Sequence, residues 1–338
     1  MATAEERTVK AIIYREYGQP HDVLELAEVE MPAAGDGDVL VRVQAASVNP
    51  GDWDLLSGQP YILRPVVGIR APRKGVLGLA VAGRVEAVGR KVTELQPGDG
   101  VYAGISRGGF AEYVAVPETA AAPMPANLTH EQAAAVPVAG VTALQGLRDV
   151  GRVQPGQKVL INGASGGVGT FAVQIGRIFG AEVTGVCSTM NEDLVRWIGA
   201  DHVIDYTQED FTKDGHKYDV IFDNVGNRSL ADCRRALAPR GILIPNSNKG
   251  PGRWVGGYLR RAAEALATSP FVSQRLRPFA ATETREDLAA LANLIEAGKV
   301  TPIIERTYAL NEIAEALDHY GKGHARGKLV ISIGQDAN

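Results

Sequence analysis

The sequence predicts an α/β protein that joins a doubly wound parallel sheet to a partly open β-barrel. Two observations lead to this fold class. Short strand-like segments, separated by turn signals such as Gln96–Gly100, fill the first third of the 338-residue chain and are typical of a small barrel. After Pro125, apolar strands alternate with helical segments, and such strands form parallel sheets covered on both faces. A chain of this length is expected to contain two domains, each with its own core.

The barrel strands are predicted from alternating apolar residues. In residues 39–44 the three valines face one way, while Arg42 and Gln44 face the other. Further barrel strands are predicted at 8–14, 82–88, 100–103 and 110–116.

The second half of the chain begins with a helix signal. Thr129 and Gln132 have the spacing of a capping box, which predicts a helix start at this point. Strands are then predicted at 203–205, 220–223, 241–244 and 328–333, and helices at 229–238, 286–297 and 312–320. Residues 249–268 are basic, and a solvated amphipathic helix is favoured there over a membrane or partner patch.

A glycine-dense turn at residues 163–169 follows the apolar run 159–162 and opens a helix. Ala164, Gly166 and Gly169 have the spacing of the dinucleotide fingerprint, with alanine in the first place. In that motif the middle glycine lets the backbone approach a pyrophosphate, and the helix N-terminus favours the negative charge. The alternative is a tight turn without a ligand. The strand–helix units that follow favour nucleotide binding.

The end of the next strand indicates which nucleotide binds. Enzymes that use NAD usually end this strand with an acidic residue that binds the ribose hydroxyls, whereas Ser188 and Thr189 stand there in this chain. Two hydroxyls without a carboxylate leave room for a 2′-phosphate, so the sequence predicts NADP. No lysine or arginine adjoins them, and Glu192 and Asp193 are close by.

Composition excludes several classes of protein. The net charge of −4 gives no electrostatic case for binding nucleic acid. Cys187 and Cys233 are too few for a disulfide framework and lie in segments that we interpret as buried, which indicates a reducing compartment. The N-terminal residues lack the apolar core of a signal peptide, and no apolar run is long enough to span a bilayer. We expect a cytoplasmic protein without a membrane span.

The order of these parts resembles the medium-chain dehydrogenase/reductase superfamily, in particular its zinc-free quinone oxidoreductase branch, which includes zeta-crystallin. The resemblance implies a GroES-like catalytic domain at residues 1–125, completed by 270–338, and a Rossmann NADP-binding domain at 126–269. It also implies a homodimer. The resemblance rests on the passages at 45–52, 163–169, 200–206 and 323–328.

Zinc ligands of the family are missing from the sequence. Zinc-dependent relatives place a cysteine at Asn49 and a His-Glu pair at Leu79-Ala80, and they often carry four closely spaced cysteines. The six histidines show no paired ligand spacing with cysteine, so no metal site is predicted. Zinc-free relatives generally keep an acid where this chain has Ala80; we interpret that acid as structural.

The resemblance also implies a set of cofactor-binding residues. Some have alternative roles: Ser188 as a helix cap, Tyr206 as a packed aromatic, Thr142 as a hydroxyl bonded to its own helix, and Arg326 as a surface arginine. The predicted cofactor-binding residues are Thr142, Ser165, Gly166, Gly167, Val168, Ser188, Tyr206, Asn224, Asn246, Ser247, His324, Ala325 and Arg326.

Two residues are predicted at the reacting centre. The resemblance implies that Asn49 contacts the nicotinamide or the substrate carbonyl, and Asp52 is expected to cap the following turn. Tyr61 stands where enoyl-thioester reductases carry a tyrosine that donates a proton, although a packed aromatic is the favoured interpretation.

The predicted function is hydride transfer from NADPH to a quinone or another activated unsaturated carbonyl compound. A quinone takes its proton from water, which fits the lack of an obvious general acid. The nearer alternative is an enoyl-thioester or alkenal reductase, which needs a proton donor such as Tyr61. The other alternative is a non-catalytic redox sensor that binds NADPH.

Overall fold

The computed structural model describes residues 8–73, 75–247, 254–323 and 325–334. These residues form a six-stranded parallel sheet, a seven-stranded barrel-like sheet and a two-stranded ribbon, which confirms the predicted fold class. The strands are β1 (Thr8–Ile13), β2 (Glu25–Glu30), β3 (Asp38–Ser47), β4 (Ala80–Val88), β5 (Gly100–Gly104), β6 (Tyr113–Pro117), β7 (Ala121–Pro123), β8 (Lys158–Asn162), β9 (Glu182–Cys187), β10 (His202–Asp205), β11 (Tyr218–Asp223), β12 (Leu237–Pro245), β13 (Arg275–Leu276), β14 (Ile304–Ala309) and β15 (Lys328–Ser332).

Helices connect most of these strands. No helix in the described ranges is both long and apolar enough to cross a bilayer. The α-helices are α1 (Pro20–Val23), α2 (Pro50–Ser57), α3 (Arg64–Val67), α4 (His130–Ala134), α5 (Pro137–Gln145), α6 (Gly167–Ile178), α7 (Glu192–Trp197), α8 (Leu230–Ala236), α9 (Gly257–Thr268), α10 (Arg285–Glu296) and α11 (Ile313–Gly321).

The parallel sheet reverses its strand order between β8 and β11. The order is β10-β9-β8-β11-β12-β13, and neighbouring strands pair in parallel. The chain moves from β8 outward to β10 and then returns to β11 on the other side of β8. The loops after β8 and β11 therefore lie side by side at the carboxyl edge, where open α/β sheets bind ligands.

Both faces of this sheet are covered. Leu160 and Ile221 are fully buried in one apolar cluster, while Ile161 and Phe222 are fully buried in another. Successive residues of a strand point to opposite faces, so the two clusters lie on the two sides of the sheet. This is the arrangement that the continuous apolar runs predict.

The barrel-like sheet is completed by the C-terminal strands. β15 pairs antiparallel with β3 at Ala45–Ser47, and β14 pairs in parallel with β15. The chain thus returns to its first domain, as the resemblance implied. β13 pairs with β12 in the parallel sheet, so this sheet extends past the predicted limit at residue 269. The other domain limits remain predictions.

Local sequence signals place most element ends within a few residues. The capping box at Thr129 is confirmed, because Gln132 N–H donates to Thr129 Oγ1 at 3.3 Å and Thr129 N–H donates to Gln132 Oε1 at 3.0 Å. The strand predicted from residue 110 begins only at Tyr113. The Phe110 N–H instead donates to Leu77 O, and its carbonyl accepts from Ile12 N–H, so its backbone pairs outside the barrel-like sheet.

A buried ion pair attaches α9 to the parallel sheet. Arg261 Nη2 donates to Asp223 Oδ2 at 2.6 Å, and the two side chains are 4% and 0% exposed. Arg261 also donates to the carbonyl of Arg228 at 2.7 Å. The predicted solvated helix is therefore wrong for Arg261, and residues 249–253 lie outside the described ranges.

Replacing Arg261 with methionine is expected to lower the free energy of unfolding by about 3–5 kcal/mol, because it leaves the buried Asp223 carboxylate without its partner. The matched control is Arg260→Met on the same helix, which removes an exposed pair with Glu264 and should cost about 0.5 kcal/mol or less. Urea unfolding of both variants measures the difference. Equal small losses of unfolding free energy in the two variants would contradict the assignment of Arg261 and Asp223 as a buried ion pair.

Candidate functional site

The glycine-dense turn links the end of β8 to the start of α6. A Cβ at Gly169 would lie 2.0 Å from the carbonyl oxygen of Gly163, so the helix packs against the turn at a distance that only glycine permits. A Cβ at Gly166 would have Gly163 O at 3.5 Å as its nearest neighbour in the described ranges, which leaves open space beside this residue. The first N–H groups of α6 have no acceptor within the helix. Together these features give the turn a geometry that suits an anion.

The C-terminal segment runs along this turn. Gly327 N–H donates to the carbonyl of Ser165 at 2.8 Å, and Gly327 forms a parallel bridge with Gly166. Of the three residues predicted here, Ala325 is half-buried and Arg326 is exposed, with its N–H donating to Glu305 at 2.6 Å. His324 lies outside the described residues.

Three polar side chains converge beside the turn at the end of β9. Asn191 Nδ2 donates to Ser165 Oγ and to Ser188 Oγ, both at 3.2 Å. Ser188 precedes the short 3-10 helix Thr189–Asn191, but its hydroxyl forms no capping hydrogen bond there. The structure thus brings two predicted residues together. Asn191 was missed, because an uncharged side chain two residues beyond the usual ribose-binding place gives no signal in sequence.

The carboxylate of Asp205 organises the neighbouring loop. It accepts from Thr189 Oγ1 at 2.5 Å, Gln208 Nε2 at 2.8 Å, and both the N–H and the hydroxyl of Thr207. The hydrogen bond from Thr189, followed by those from Thr207 and Gln208, lowers the pKa of Asp205 to about 2. The adjacent Tyr206 is 42% exposed, which does not fit the alternative of a packed aromatic.

The loops after β11 and β12 form a polar shelf next to the turn. Asn246 Nδ2 donates to Asn224 Oδ1 at 2.8 Å, and Ser247 Oγ donates to the carbonyl of Val225 at 2.7 Å. The shelf therefore includes the three predicted residues Asn224, Asn246 and Ser247. Asn224 Nδ2 is buried and has no hydrogen-bond partner among the described residues. A buried donor without an acceptor is rare in folded proteins.

Asn49 is buried, and both ends of its side chain are engaged. Its Nδ2 donates to Ser47 O at 2.8 Å, while its Oδ1 accepts from Lys328 Nζ at 2.6 Å. The Asn49 N–H donates to Asp52 Oδ2 at 2.8 Å, which confirms Asp52 as a cap at the start of α2. Asp52 also accepts from Gly78 N–H at 2.9 Å. The contact of Asn49 with a nicotinamide or substrate stays a prediction.

Lys328 is a candidate that sequence reasoning missed. Burial lowers the pKa of its ammonium group to about 7, and burial raises the pKa of the Asp52 carboxyl to about 7. The available signal was a single charged residue that opens an otherwise apolar strand. That signal is weak, because a lysine at a strand end normally lies in solvent.

Tyr61 packs between the two domains. The ring centroids of Tyr61 and Trp254 are 5.5 Å apart in an edge-on arrangement, and Arg64 Cζ lies 4.4 Å from the Tyr61 ring centroid. The neighbouring Ile62 N–H donates to Trp254 O at 3.0 Å. These contacts agree with the favoured interpretation of a packed aromatic. Thr142 Oγ1 donates to Val138 O at 2.7 Å, so its hydroxyl is bonded to its own helix, as the alternative for this residue expected.

The comparisons with known proteins agree with this architecture. Residues 35–126 match the alcohol dehydrogenase GroES-like domain, and residues 198–331 match the zinc-binding dehydrogenase family. The mouse mitochondrial NAD(P)H oxidoreductase RTN4IP1 is 34% identical over 88% of this chain and 82% of its own length. The chain belongs to the medium-chain dehydrogenase/reductase superfamily.

Two further members of the superfamily are similar along nearly the whole chain. The chloroplastic quinone-oxidoreductase QR1 of Triphysaria versicolor is 31% identical over 96% of this chain and 98% of its own length. The structure of a quinone oxidoreductase from Coxiella burnetii superposes with a TM-score of 0.83 at 28% identity, covering 97% of this chain and 100% of that chain. The protein is thus an oxidoreductase of this superfamily and uses a nicotinamide cofactor.

The described residues fit such a cofactor. Gly166 borders open space at the start of α6, Ser165 and Ser188 present hydroxyls beside it, and Asn224 offers an unpartnered donor on the far side of the turn. Within the same ranges, no group of three or more His, Cys, Asp or Glu side chains is arranged to hold a metal ion.

Replacing Gly166 with alanine is expected to weaken cofactor binding at least tenfold with little loss of stability. The residue has φ −83° and ψ 177°, which alanine adopts without strain, but a methyl group fills the space that a pyrophosphate needs. Gly169→Ala is the matched comparison, and it should instead lower the melting temperature because its Cβ collides with a backbone carbonyl. Fluorescence titration with NADPH and thermal unfolding measure the two effects. Unchanged affinity in Gly166→Ala would contradict this site.

Proposed function

We propose that the protein transfers a hydride from NADPH to a quinone or another activated unsaturated carbonyl compound, without a metal ion. The observation that carries this proposal is the buried Nδ2 of Asn224 at the carboxyl edge of β11, which has no hydrogen-bond partner in the part of the chain that the structure describes. An amide donor at this point suits the carboxamide of a nicotinamide.

The bound nicotinamide supplies the hydride, and the protein supplies orientation. Asn224 is held by Asn246, so its donor points in a fixed direction. Gly166 and the start of α6 would hold the phosphates. Asn49 stands where zinc-dependent relatives carry a cysteine ligand, so substrate activation by zinc is not part of the proposal.

The preference for NADPH is supported by the side chains at the end of β9. Ser188 and Asn191 present neutral polar groups where an NAD enzyme usually has an acid. The nearby Asp205 carboxylate is occupied by four hydrogen bonds from Thr189, Thr207 and Gln208, so it is not available to ribose hydroxyls. A 2′-phosphate would meet the hydroxyl and amide groups of Ser188 and Asn191.

The choice of quinone does not require a protein group that donates a proton at the site. Among the described residues near Asn49, the ammonium of Lys328 is already bonded to two protein oxygens. A quinone accepts its proton from water, so the reaction needs no such donor. The names of QR1 and of the Coxiella protein point to the same acceptor for those relatives. The homodimer and the cytoplasmic location remain predictions of the sequence.

Steady-state assays with NADPH and NADH test the proposal against a quinone, an alkenal and an enoyl thioester. We expect turnover with the quinone and a KM for NADPH at least tenfold below that for NADH. Ser188→Asp should reverse the preference, because a carboxylate repels a 2′-phosphate and accepts from ribose hydroxyls. Ser188→Asn is the neutral control. Equal affinity for both coenzymes contradicts the NADPH preference, and tight binding without turnover on any acceptor favours a sensor.

Tyr61→Phe separates quinone reduction from enoyl reduction. If water supplies the proton, kcat/KM for the quinone should change less than about twofold, since the removed hydroxyl takes no part. A loss of kcat/KM by about a hundredfold or more with unchanged NADPH affinity would identify Tyr61 as a general acid. Tyr113→Phe on β6 is the control for the loss of a phenolic hydroxyl elsewhere in the barrel domain.

A further inference from the structure

Lys328 contacts both halves of the site. It is the first residue of β15, and its Cδ lies 3.0 Å from the position that a Cβ at Gly167 would occupy. Its Nζ donates to the carbonyl of Val48 at 2.7 Å and to Asn49 Oδ1 at 2.6 Å. One side chain therefore passes from the phosphate-binding turn to the loop that carries Asn49.

A charged group is costly at this position. Lys328 is 4% exposed, and the nearby Asp52 is fully buried. Taking an ammonium group out of water is unfavourable unless its hydrogen bonds replace those with solvent. A methionine has a stem of similar length and would fill the space without that cost. The contributions particular to lysine are therefore its pair of hydrogen bonds to the Asn49 loop and its positive charge near Asp52.

Those hydrogen bonds fix the orientation of the Asn49 amide. The ammonium form of Lys328 can only donate, so the atom that faces it must be the oxygen of Asn49, and Nδ2 then points to the carbonyl of Ser47. The backbone of Asn49 is held separately by Asp52. Without the ammonium group, the amide loses the partner that holds its oxygen in place.

We propose that Lys328 is a positioning residue for hydride transfer, which fixes Asn49 and its loop relative to the cofactor-binding turn. The inference rests on the proposed function, since it concerns the alignment of the acceptor with the nicotinamide. Lys328 acts through Asn49 and through packing against Gly167. It does not itself touch the acceptor.

The main test compares Lys328→Met with Lys322→Met, an exposed lysine near the end of α11. We expect Lys328→Met to keep its affinity for NADPH within about threefold, while the single-turnover rate of NADPH oxidation falls at least tenfold. Lys322→Met should match the wild type in both. A merely structural role would lower affinity and rate together or change neither, and either result overturns the inference.

A double-mutant cycle with Asn49→Ala tests whether Lys328 acts through Asn49. If it does, Lys328→Met should change the rate less than about twofold when Asn49 is already alanine. If the free-energy effects of Lys328→Met and Asn49→Ala on the single-turnover rate add independently, the inference is overturned. The cycle uses the same single-turnover assay and the same acceptor throughout.

Hydrogen exchange of the wild-type protein gives a measurement that does not depend on how the variants fold. NADPH should slow exchange of the backbone amides of Asn49 and Asp52, because the turn and the loop are joined through Lys328. Unchanged exchange on binding overturns the inference. If the wild type binds neither NADPH nor NADH, the proposed function fails and this inference fails with it. If the wild type binds and oxidises NADPH but binding does not slow exchange at Asn49 and Asp52, this inference alone is overturned.

Discussion

The hydrogen bond from Gly327 N–H to the carbonyl of Ser165 joins the two sheets at the site. On one side of this bond, the glycine-dense turn leads into α6, which packs closely because Gly169 has no side chain. On the other side, Lys328 starts β15 in the barrel-like sheet. The glycine-dense turn of the parallel-sheet domain is therefore in direct contact with the barrel-like sheet.

Three carboxylates shape the loops around the turn. Asp52, Asp205 and Asp223 each accept backbone N–H groups from the loop that they organise. They differ in how their charge is compensated: Asp205 by hydroxyl and amide donors, and Asp223 by the guanidinium of Arg261. For Asp52, desolvation outweighs the backbone hydrogen bonds from Asn49 and Gly78 and the charge of Lys328, so the pKa of its carboxyl is raised. Each of the three carboxylates thus ties down a loop of the site through hydrogen bonds.

Local patterns in the sequence were sufficient to predict the fold, the glycine-dense turn and the capping box at Thr129. Each of these depends on residues that are close together in the chain. The resemblance added Asn224, Asn246 and Ser247, which the structure brings onto one shelf. The contact between Lys328 and Asn49 joins residues 279 positions apart, and no spacing rule connects them. Arg261 was assigned to solvent for the same reason, because its partner Asp223 lies in another element.

The return of β15 to the barrel-like sheet limits how the chain can be divided. β15 covers the edge of β3 at Ala45–Ser47, next to the stretch of β3 that pairs with β6. An N-terminal fragment that stops before the parallel sheet would leave that part of β3 with unpaired backbone groups, which invite edge-to-edge association. The parallel-sheet domain is in this sense an insertion within a single barrel. A chain cut after residue 125 therefore loses β14 and β15 of the barrel-like sheet together with the parallel sheet.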